Sequence, residues 1–396
     1  MILVVNAGSS SIKFKLFDIK NPENPKSLVE GLAERIGVDG KLIIEVNEKK
    51  HVFEEQMIDH LQAVQLILSK FTELKIIEKP EDIKGIGFRV VHGGDKIVNT
   101  VELTQEIKKI IEENIRLAPL HNPGALTSIN AFQESLPKAK LVGCFDTSYH
   151  QTMPEISYMY SVPYKWYKDL KVRKYGFHGI SYDYITYKAQ EIFNKNKEDL
   201  NLIVCHLGNG ASICAIKNGK SYNTTMGLTP LAGLMMGTRS GDIDPSILQY
   251  VSKETGKNVF EITDMLNKES GLYGISEISS DMRDVVDAAS KNNEQAKLAL
   301  EIYTQTVADF VVKFVNQINS KIDGIIFTAG IGENASNIRE RVAQKCGLLE
   351  LSIDSKLNDQ KYGDYLKISS TDSKIPVFKV RTNEELMICK ETLKFL

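Results

Sequence analysis

Apolar runs that stop at polar, glycine-bearing turns set the rhythm of this chain. Ile2 to Val5 run into Asn6-Ala7-Gly8-Ser9-Ser10-Ser11, after which apolar alternation returns through Ile12 and Phe14. Later in the chain, Leu202 to Cys205 run into His206-Leu207-Gly208-Asn209-Gly210 and return through Ala211 and Ile213. Each reads as a hairpin. Leu28 to Val46 carries further alternating stretches of the same sheet. Gly85 to Val91 and Lys140 to Phe145 read as buried strands that end at His92 and Asp146, and Gly324 to Ala329 as another that delivers Gly330 to Asn334. Met57, Leu61, Val64, Leu68 and Phe71 fall at helical spacing, as do Ile107, Ile110, Ile111 and Ile115, and then Val307, Phe310, Val311, Phe314, Val315 and Ile318. Strands alternating with helices predict an α/β fold. The Tyr- and Pro-rich tract from Pro154 to Pro163 reads as a connection where the domain changes. The strand and turn at Leu202 restart the order of elements, which predicts a duplicated fold that grips a nucleotide between its halves.

Composition narrows the class. A chain of 396 residues with 42% hydrophobic and 25% charged residues has ample material for two globular domains. With 49 Lys and Arg against 51 Asp and Glu the formal net charge is -2, so no global field draws the chain to nucleic acid or an anionic membrane. No stretch approaches the roughly 18 apolar residues of a spanning helix. The five cysteines lie scattered, mostly in apolar stretches and without CxxC spacing, the pattern of reduced core thiols in a cytoplasm.

Several polar groups at strand ends have the chemistry of phosphoryl transfer, which needs positive charge, hydrogen-bond donors and a metal around the moving group. Asn6, Ser9, Ser11 and Lys13 present an amide, two hydroxyls and a cation from one turn, without Walker A spacing; a plain polar hairpin is the alternative. Arg89 ends an apolar strand, and Arg239 sits among the small residues of Met236-Gly237-Thr238-Arg239-Ser240-Gly241. Each guanidinium fork suits a carboxylate or phosphate, while a structural pairing of Arg239 with Asp242 or Asp244 stays open. His121, His178 and His206 adjoin Gly or Asn and fit phosphate-binding imidazoles or satisfied core histidines; neither HExxH nor a Cys/His cluster supports zinc. Asp146 could orient an arginine, hold metal through water, take a proton or cap the next turn. Of Glu384 and Glu385, one is a candidate magnesium ligand.

Taken in order and spacing, these motifs closely resemble the acetate kinase family. The agreement runs along nearly the whole chain: VVNAGSSSIKF from Val4, GFRVVHGG from Gly87, LAPLHNPG from Leu117, FDTSYH from Phe145, YGFHGISY from Tyr175, HLGNGAS from His206, TTMGLTPLAGLMMGTRSGDIDP from Thr224, TAGIGENA from Thr328 and TNEEL from Thr382. The resemblance implies a duplicated ribonuclease H-like fold of the actin, Hsp70 and sugar kinase kind, with a nucleotide cleft between two domains. The first would be 1–150, with the C-terminal helix 385–396 packing back on it, and the second 151–384, binding nucleotide and making a homodimer. It implies a cytoplasmic enzyme that phosphorylates acetate with ATP to give acetyl phosphate and ADP. Carried onto this sequence, Asn6 and Glu384 would hold Mg²⁺, with Mn²⁺ as the alternative metal. Ser9, Ser11 and Lys13 would meet the phosphates or orient their turn. Arg89 would bind the acetate carboxylate, with Val91, Leu120 and Pro230 around its methyl group. Arg239, His178 and His121 would stabilise the moving phosphoryl group and Asp146 would position the arginines. His206, Leu207, Gly208, Asn209 and Gly210 would contact phosphates. Asp281, Met282 and Arg283 with Gly330, Ile331, Gly332, Glu333 and Asn334 would receive the adenosine.

A carboxylate acceptor is already ionised at neutral pH and needs no general base, so direct in-line transfer is expected. Propionate or another short-chain acid is the nearest alternative substrate, since one methylene gives only about 1–3 kcal/mol of discrimination. An Hsp70-like ATP-driven binding module, or a phosphatase, is the alternative of another class.

Overall fold

A computed structural model describes residues 1–119 and 121–396. The chain divides into two compact units, Met1–Gln151 together with Asn383–Leu396, and Thr152–Thr382.

The first unit is built on β1 (Ile2–Ala7), β2 (Ser11–Asp18), β3 (Lys26–Glu34), β4 (Lys41–Val46), β5 (Lys49–Phe53), β6 (Gly85–Val90), β7 (Val101–Glu102) and β8 (Lys140–Phe145). They lie in the order β5-β4-β3-β2-β1-β6-β8-β7. β1 to β5 form an antiparallel meander, and β6 and β8 continue parallel to β1. β1 is buried from Ile2 to Val5 because helices cover the sheet there. The helix Glu384–Leu393 lies against β1 and β6. Gly85 and Gly87 make that contact possible: a side chain at Gly87 would collide with Thr392 and Ile388.

The second unit carries β9 (Leu202–Leu207), β10 (Ala211–Lys217), β11 (Lys220–Thr224), β12 (Gly324–Thr328), β13 (Tyr365–Lys367) and β14 (Val377–Val380), in the order β11-β10-β9-β12-β14-β13. β9, β10 and β11 are an antiparallel meander, and β12 and β14 continue parallel to β9. This is the plan of β1, β2, β3, β6 and β8 repeated, so the duplication read from two similar turns extends to whole sheets. The fold is a duplicated ribonuclease H-like α/β fold.

Local differences from the sequence reading have local causes. Apolar spacing begins the first helix at Met57, but it spans His60–Glu73 because the Asp59 side chain caps it, accepting from Gln62 N. β5, with Lys49 and Lys50, lacks an apolar signature; it pairs with β4 across Asn47 and Glu48, both at positive φ. The helix read from Val307 spans Glu294–Ile318, its upstream turns buried through Ala296, Ala299, Leu300 and Tyr303. The tract after Pro154 holds a helical turn, Glu155–Tyr158. Among the described residues no helix is long and apolar enough to cross a membrane.

Candidate active site

In the first unit the polar groups collect where β1, β6 and β8 end. The turn after β1 closes on itself, Gly8 N donating to Ser11 O at 2.8 Å. It is backed by His60, whose Nε2 donates to Gly8 O at 2.9 Å, and by Gly124, where a Cβ would press on the Gly8–Ser9 backbone. Asn6 and Ser9 are left exposed on its outer side and Ser11 half-buried. Arg89 on β6 and Asp146 just past β8 meet as a fork. Nε and Nη2 of Arg89 donate to the two carboxylate oxygens at 2.9 and 2.7 Å, and the Asp146 side chain is 3% exposed. The Asp146 charge raises the Arg89 guanidinium above its ordinary value. Val91 follows, half-buried.

Asn6, Lys13, Arg89, Glu384 and Glu385 line one small pocket. The two adjacent acids behave differently. Glu385 is taken by Lys13 at 2.9 Å. The Glu384 carboxylate has no hydrogen bond or ion pair among the described residues. Burial pushes it up, Arg89 pulls it down, and Asp146 and Glu385 push it up again. A carboxylate without a protein partner beside an amide oxygen suits a hard cation that keeps much of its water, as magnesium does. No group of three or more His, Cys, Asp or Glu is poised for a metal among the described residues, so substrate and water would have to complete the shell. His121 lies in the cap position of the helix Asn122–Ser135, exposed. Leu120 lies outside the described residues.

In the second unit Arg239 stands in a loop tied by neighbours other than its own side chain. Asp242 Oδ1 accepts from Gly233 N at 2.7 Å, and Asp244 Oδ1 accepts from Ser246 N at 2.9 Å, so both nearby acids are spent on backbone. Gly237 N donates to Asn209 O at 3.1 Å, and Gly271, at φ 63°, packs where any side chain would strike Met236 O. Among the described residues the Arg239 guanidinium, half-buried, donates only to neutral atoms, Pro230 O at 3.2 Å and Met236 Sδ at 3.6 Å. Burial pulls it below its ordinary value. Among the described residues no carboxylate pairs with it.

His178 occupies the cap position of the helix Gly179–Phe193 in the left-handed region, φ 59°. Its ring stacks on His206 with centroids 4.1 Å apart. His178 Nδ1 lies 2.8 Å from Ser212 Oγ, and His206 Nδ1 lies 2.8 Å from Ser181 Oγ. The sequence reading missed both serines and Tyr182. Their signal was present: Ser181 and Tyr182 follow His178 by three and four residues on a helix, and Ser212 sits opposite His206 in the β9–β10 register. Gly210 brings Arg239 and His178 to one place, since a Cβ built there would lie 3.5 Å from Arg239 Nη1 and 3.6 Å from His178 Nε2.

A cavity of about 1010 Å³ opens beside them, large enough for a nucleotide. Gly208, Asn209, Asp281, Met282, Arg283, Gly330, Ile331 and Asn334 line it, with Val286, Ser290 and Asn337, which the motifs had not singled out. Arg283 holds the Asp281 carboxyl down at about 2 and is itself held by it at 2.6 Å. Gly332 and Glu333 stand behind the wall. Gly332 O accepts from the buried Arg339, and Glu333 Oε1 accepts from Ala329 N and Thr382 N, each at 3.0 Å. That carboxylate braces Ala329 at φ 65°, an uncommon conformation for alanine. The helix Ala329–Asn334 starts at the residue where the strand was expected to end, and the strand itself stops at Thr328.

A family model described as the Acetokinase family matches residues 1–390. A protein named acetate kinase from Mycoplasma capricolum subsp. capricolum is 57% identical over 396 residues, covering 100% of both chains. Among solved structures, Porphyromonas gingivalis acetate kinase superposes with a TM-score of 0.94 at 40% identity, covering 99% of this chain and 98% of that one. A propionate kinase from Francisella tularensis subsp. tularensis SCHU S4 gives 0.91 at 43% identity, covering 99% of each.

Proposed function

Because the chain belongs to the acetokinase family, we propose that it transfers the γ-phosphoryl group of ATP reversibly to acetate, giving acetyl phosphate and ADP. The observation that carries this reading is Arg239, a half-buried guanidinium with only neutral partners, facing the same space as His178 Nε2 beside a nucleotide-sized cavity. A desolvated cation without a counter-charge marks where an anion is to be received.

The roles that the family resemblance implies are supported by charge and geometry. Arg89, oriented by Asp146, takes the acetate carboxylate, with Val91 beside the methyl group. Arg239 and His178 donate to the equatorial oxygens of the moving phosphoryl group, and His121 is assigned to the same task. The acetate oxygen attacks phosphorus in line as the bond to the ADP oxygen breaks; no proton needs removing, so Asp146 positions and does not act as a base. Ser9 and Ser11 meet phosphate, and Lys13, held by Glu385, orients their turn. Backbone amides between His206 and Gly210 cradle the phosphates, and the large cavity takes the adenosine. Pro230 acts through its carbonyl on Arg239. Asn6 and Glu384 would hold Mg²⁺, which when bound supplies charge neutralisation between phosphate oxygens. We assign the chain a homodimeric state in a reducing cytoplasm. Phe260 and Tyr250, 81% and 68% exposed, offer apolar surface for a second copy, and all five cysteines are buried and free.

Hydroxylamine trapping tests the reading. Acetyl hydroxamate should form only with acetate, ATP and a divalent metal, and chelation should stop it reversibly. Fastest formation with propionate, the acid named for one structural relative, would keep the mechanism and change the substrate. ATP hydrolysis without any hydroxamate would move the protein to the binding-module or phosphatase class.

A further inference from the structure

His178 is held on one edge by a buried hydroxyl that a second buried hydroxyl backs. Ser212 Oγ lies 2.8 Å from its Nδ1, and the same oxygen is in hydrogen-bond contact with the Tyr182 hydroxyl. Ser212 and Tyr182 are both fully buried, so the hydrogen bonds they make are made to protein. The other edge of the ring, Nε2, faces the space beside Gly210 that it shares with Arg239 Nη1.

The hydrogens on this row of atoms can be counted from the anion end. A phosphate oxygen in the space beside Gly210 accepts hydrogen bonds, so Nε2 must carry a hydrogen to serve it. A ring that holds one hydrogen then leaves Nδ1 without one. Nδ1 is then an acceptor, and Ser212 O–H stands in place to donate to it. With its one hydrogen spent on His178, the Ser212 oxygen accepts from Tyr182 O–H. Burial raises the Tyr182 phenol well above its ordinary value, which keeps that hydrogen in place.

We propose that Tyr182 and Ser212 are positioning residues for phosphoryl transfer, forming a fixed chain of donors from Tyr182 through Ser212 to His178 Nδ1 that holds His178 as an Nε2–H donor. This rests on reading Arg239 and His178 as the pair that meets the moving phosphoryl group. No net proton moves along the chain. Its action is to keep one dipole aimed at the charge that develops in the transition state, so the ring has no tautomer to change and no water to shed as charge builds.

The experiment is long-range ¹H–¹⁵N NMR of the imidazole nitrogens in the whole, substrate-free enzyme, with the His178 signals assigned through His178→Gln. A neutral Nε2–H tautomer near neutral pH is expected. An Nδ1–H tautomer or an imidazolium would overturn the proposal, and because no substrate is present this outcome is separate from any failure to form acyl phosphate. Ser212→Ala should mix the two tautomers and lower kcat roughly tenfold, the worth of one oriented hydrogen bond. KM for acid and nucleotide should stay within about twofold, as for an interaction made only in the transition state. Tyr182→Phe should lower kcat less, and adding it to Ser212→Ala should cost nothing further, since the two act in series. A folded Ser212→Ala enzyme with wild-type kcat and an unchanged tautomer would sink the chain of donors and leave Ser212 as packing.

Discussion

Arg89 and Arg239 are both guanidiniums at the polar edge of a buried sheet or loop, and the fold treats them in opposite ways. Arg89 meets a carboxylate in its own unit, two hydrogen bonds at 2.9 and 2.7 Å, and the Asp146 charge raises it. Arg239 meets a carbonyl and a thioether, and burial lowers it. The first charge is neutralised and aimed before any ligand arrives, which suits recognition of a small anion in its ground state. The second is left partly desolvated without a counter-charge among the described residues. Binding of a more highly charged group would supply the missing partner, in keeping with the proposed roles of Arg239 on transition-state charge and Arg89 on the acceptor.

Removing the unpaired charge should therefore have the larger effect on rate and the smaller on stability. Arg239→Ala is expected to lower kcat by roughly 10³ to 10⁵, the range for an arginine serving a transferring phosphoryl group. Its thermal midpoint should hold or rise. Arg239→Lys should recover little, because a point charge does not replace a planar fork. A hydroxamate assay within about tenfold of wild type would end the assignment. Asp146→Asn attacks the other arginine. It leaves Arg89 without its counter-charge and should cost roughly 3 kcal/mol of stability in denaturant titration. KM for the acid should rise more than kcat falls, since Arg89 acts on the ground state. Mass spectrometry of wild-type enzyme after ATP should find no phosphate on Asp146. A phosphoenzyme there would replace direct transfer with a covalent route.

How much of this was legible follows from how each residue does its work. Arg89 and Asp146 were readable because an apolar run delivers a side chain to a known place, its polar end. β8 ends at Phe145, as the run Lys140 to Phe145 says it should, and β6 ends at Val90, one residue short of the run Gly85 to Val91. The partner of Arg239 was not readable. Asp242 and Asp244 stand three and five residues away, and nothing in composition says that backbone amides at Gly233 and Ser246 will claim them first. Glu333 sits inside a motif of pocket residues yet turns away from the cavity, because Ala329 at positive φ needs its amide held. Ser212 and Tyr182 were hidden by a different cause. They come from a strand and a helix 30 residues apart, and only the fold brings the Tyr182 hydroxyl to Ser212 Oγ and that oxygen to His178 Nδ1.

Lys174 sharpens the contrast, because it shares the burial of Arg239 without its function. It too lacks a carboxylate partner among its hydrogen bonds, yet its ammonium donates to Asn223 Oδ1 and Thr224 O, each at 2.8 Å, inside the second unit. Those neutral acceptors stand close by on β11, which leaves no reason to infer an outside anion. Burial first, and then the nearby Lys313 charge, bring its pKa down to about 8 from 10.5. A lysine can answer desolvation by losing its proton, which an arginine does not do in the working pH range. The sign of the consequence is fixed. Between pH 8 and 10.5 the unfolded chain holds this proton more tightly than the folded one, so unfolding free energy from this group rises with pH across that window and is flat below it. Measured as the difference between wild type and Lys174→Met in chemical denaturation, the gain should be roughly 1–3 kcal/mol. A difference that stays level or falls as pH rises would mean that the two acceptors hold the charged form as well as water does. Burial without a carboxylate would then be insufficient evidence of an unmet charge, and the inference drawn from Arg239 would have to stand on its geometry beside His178 alone.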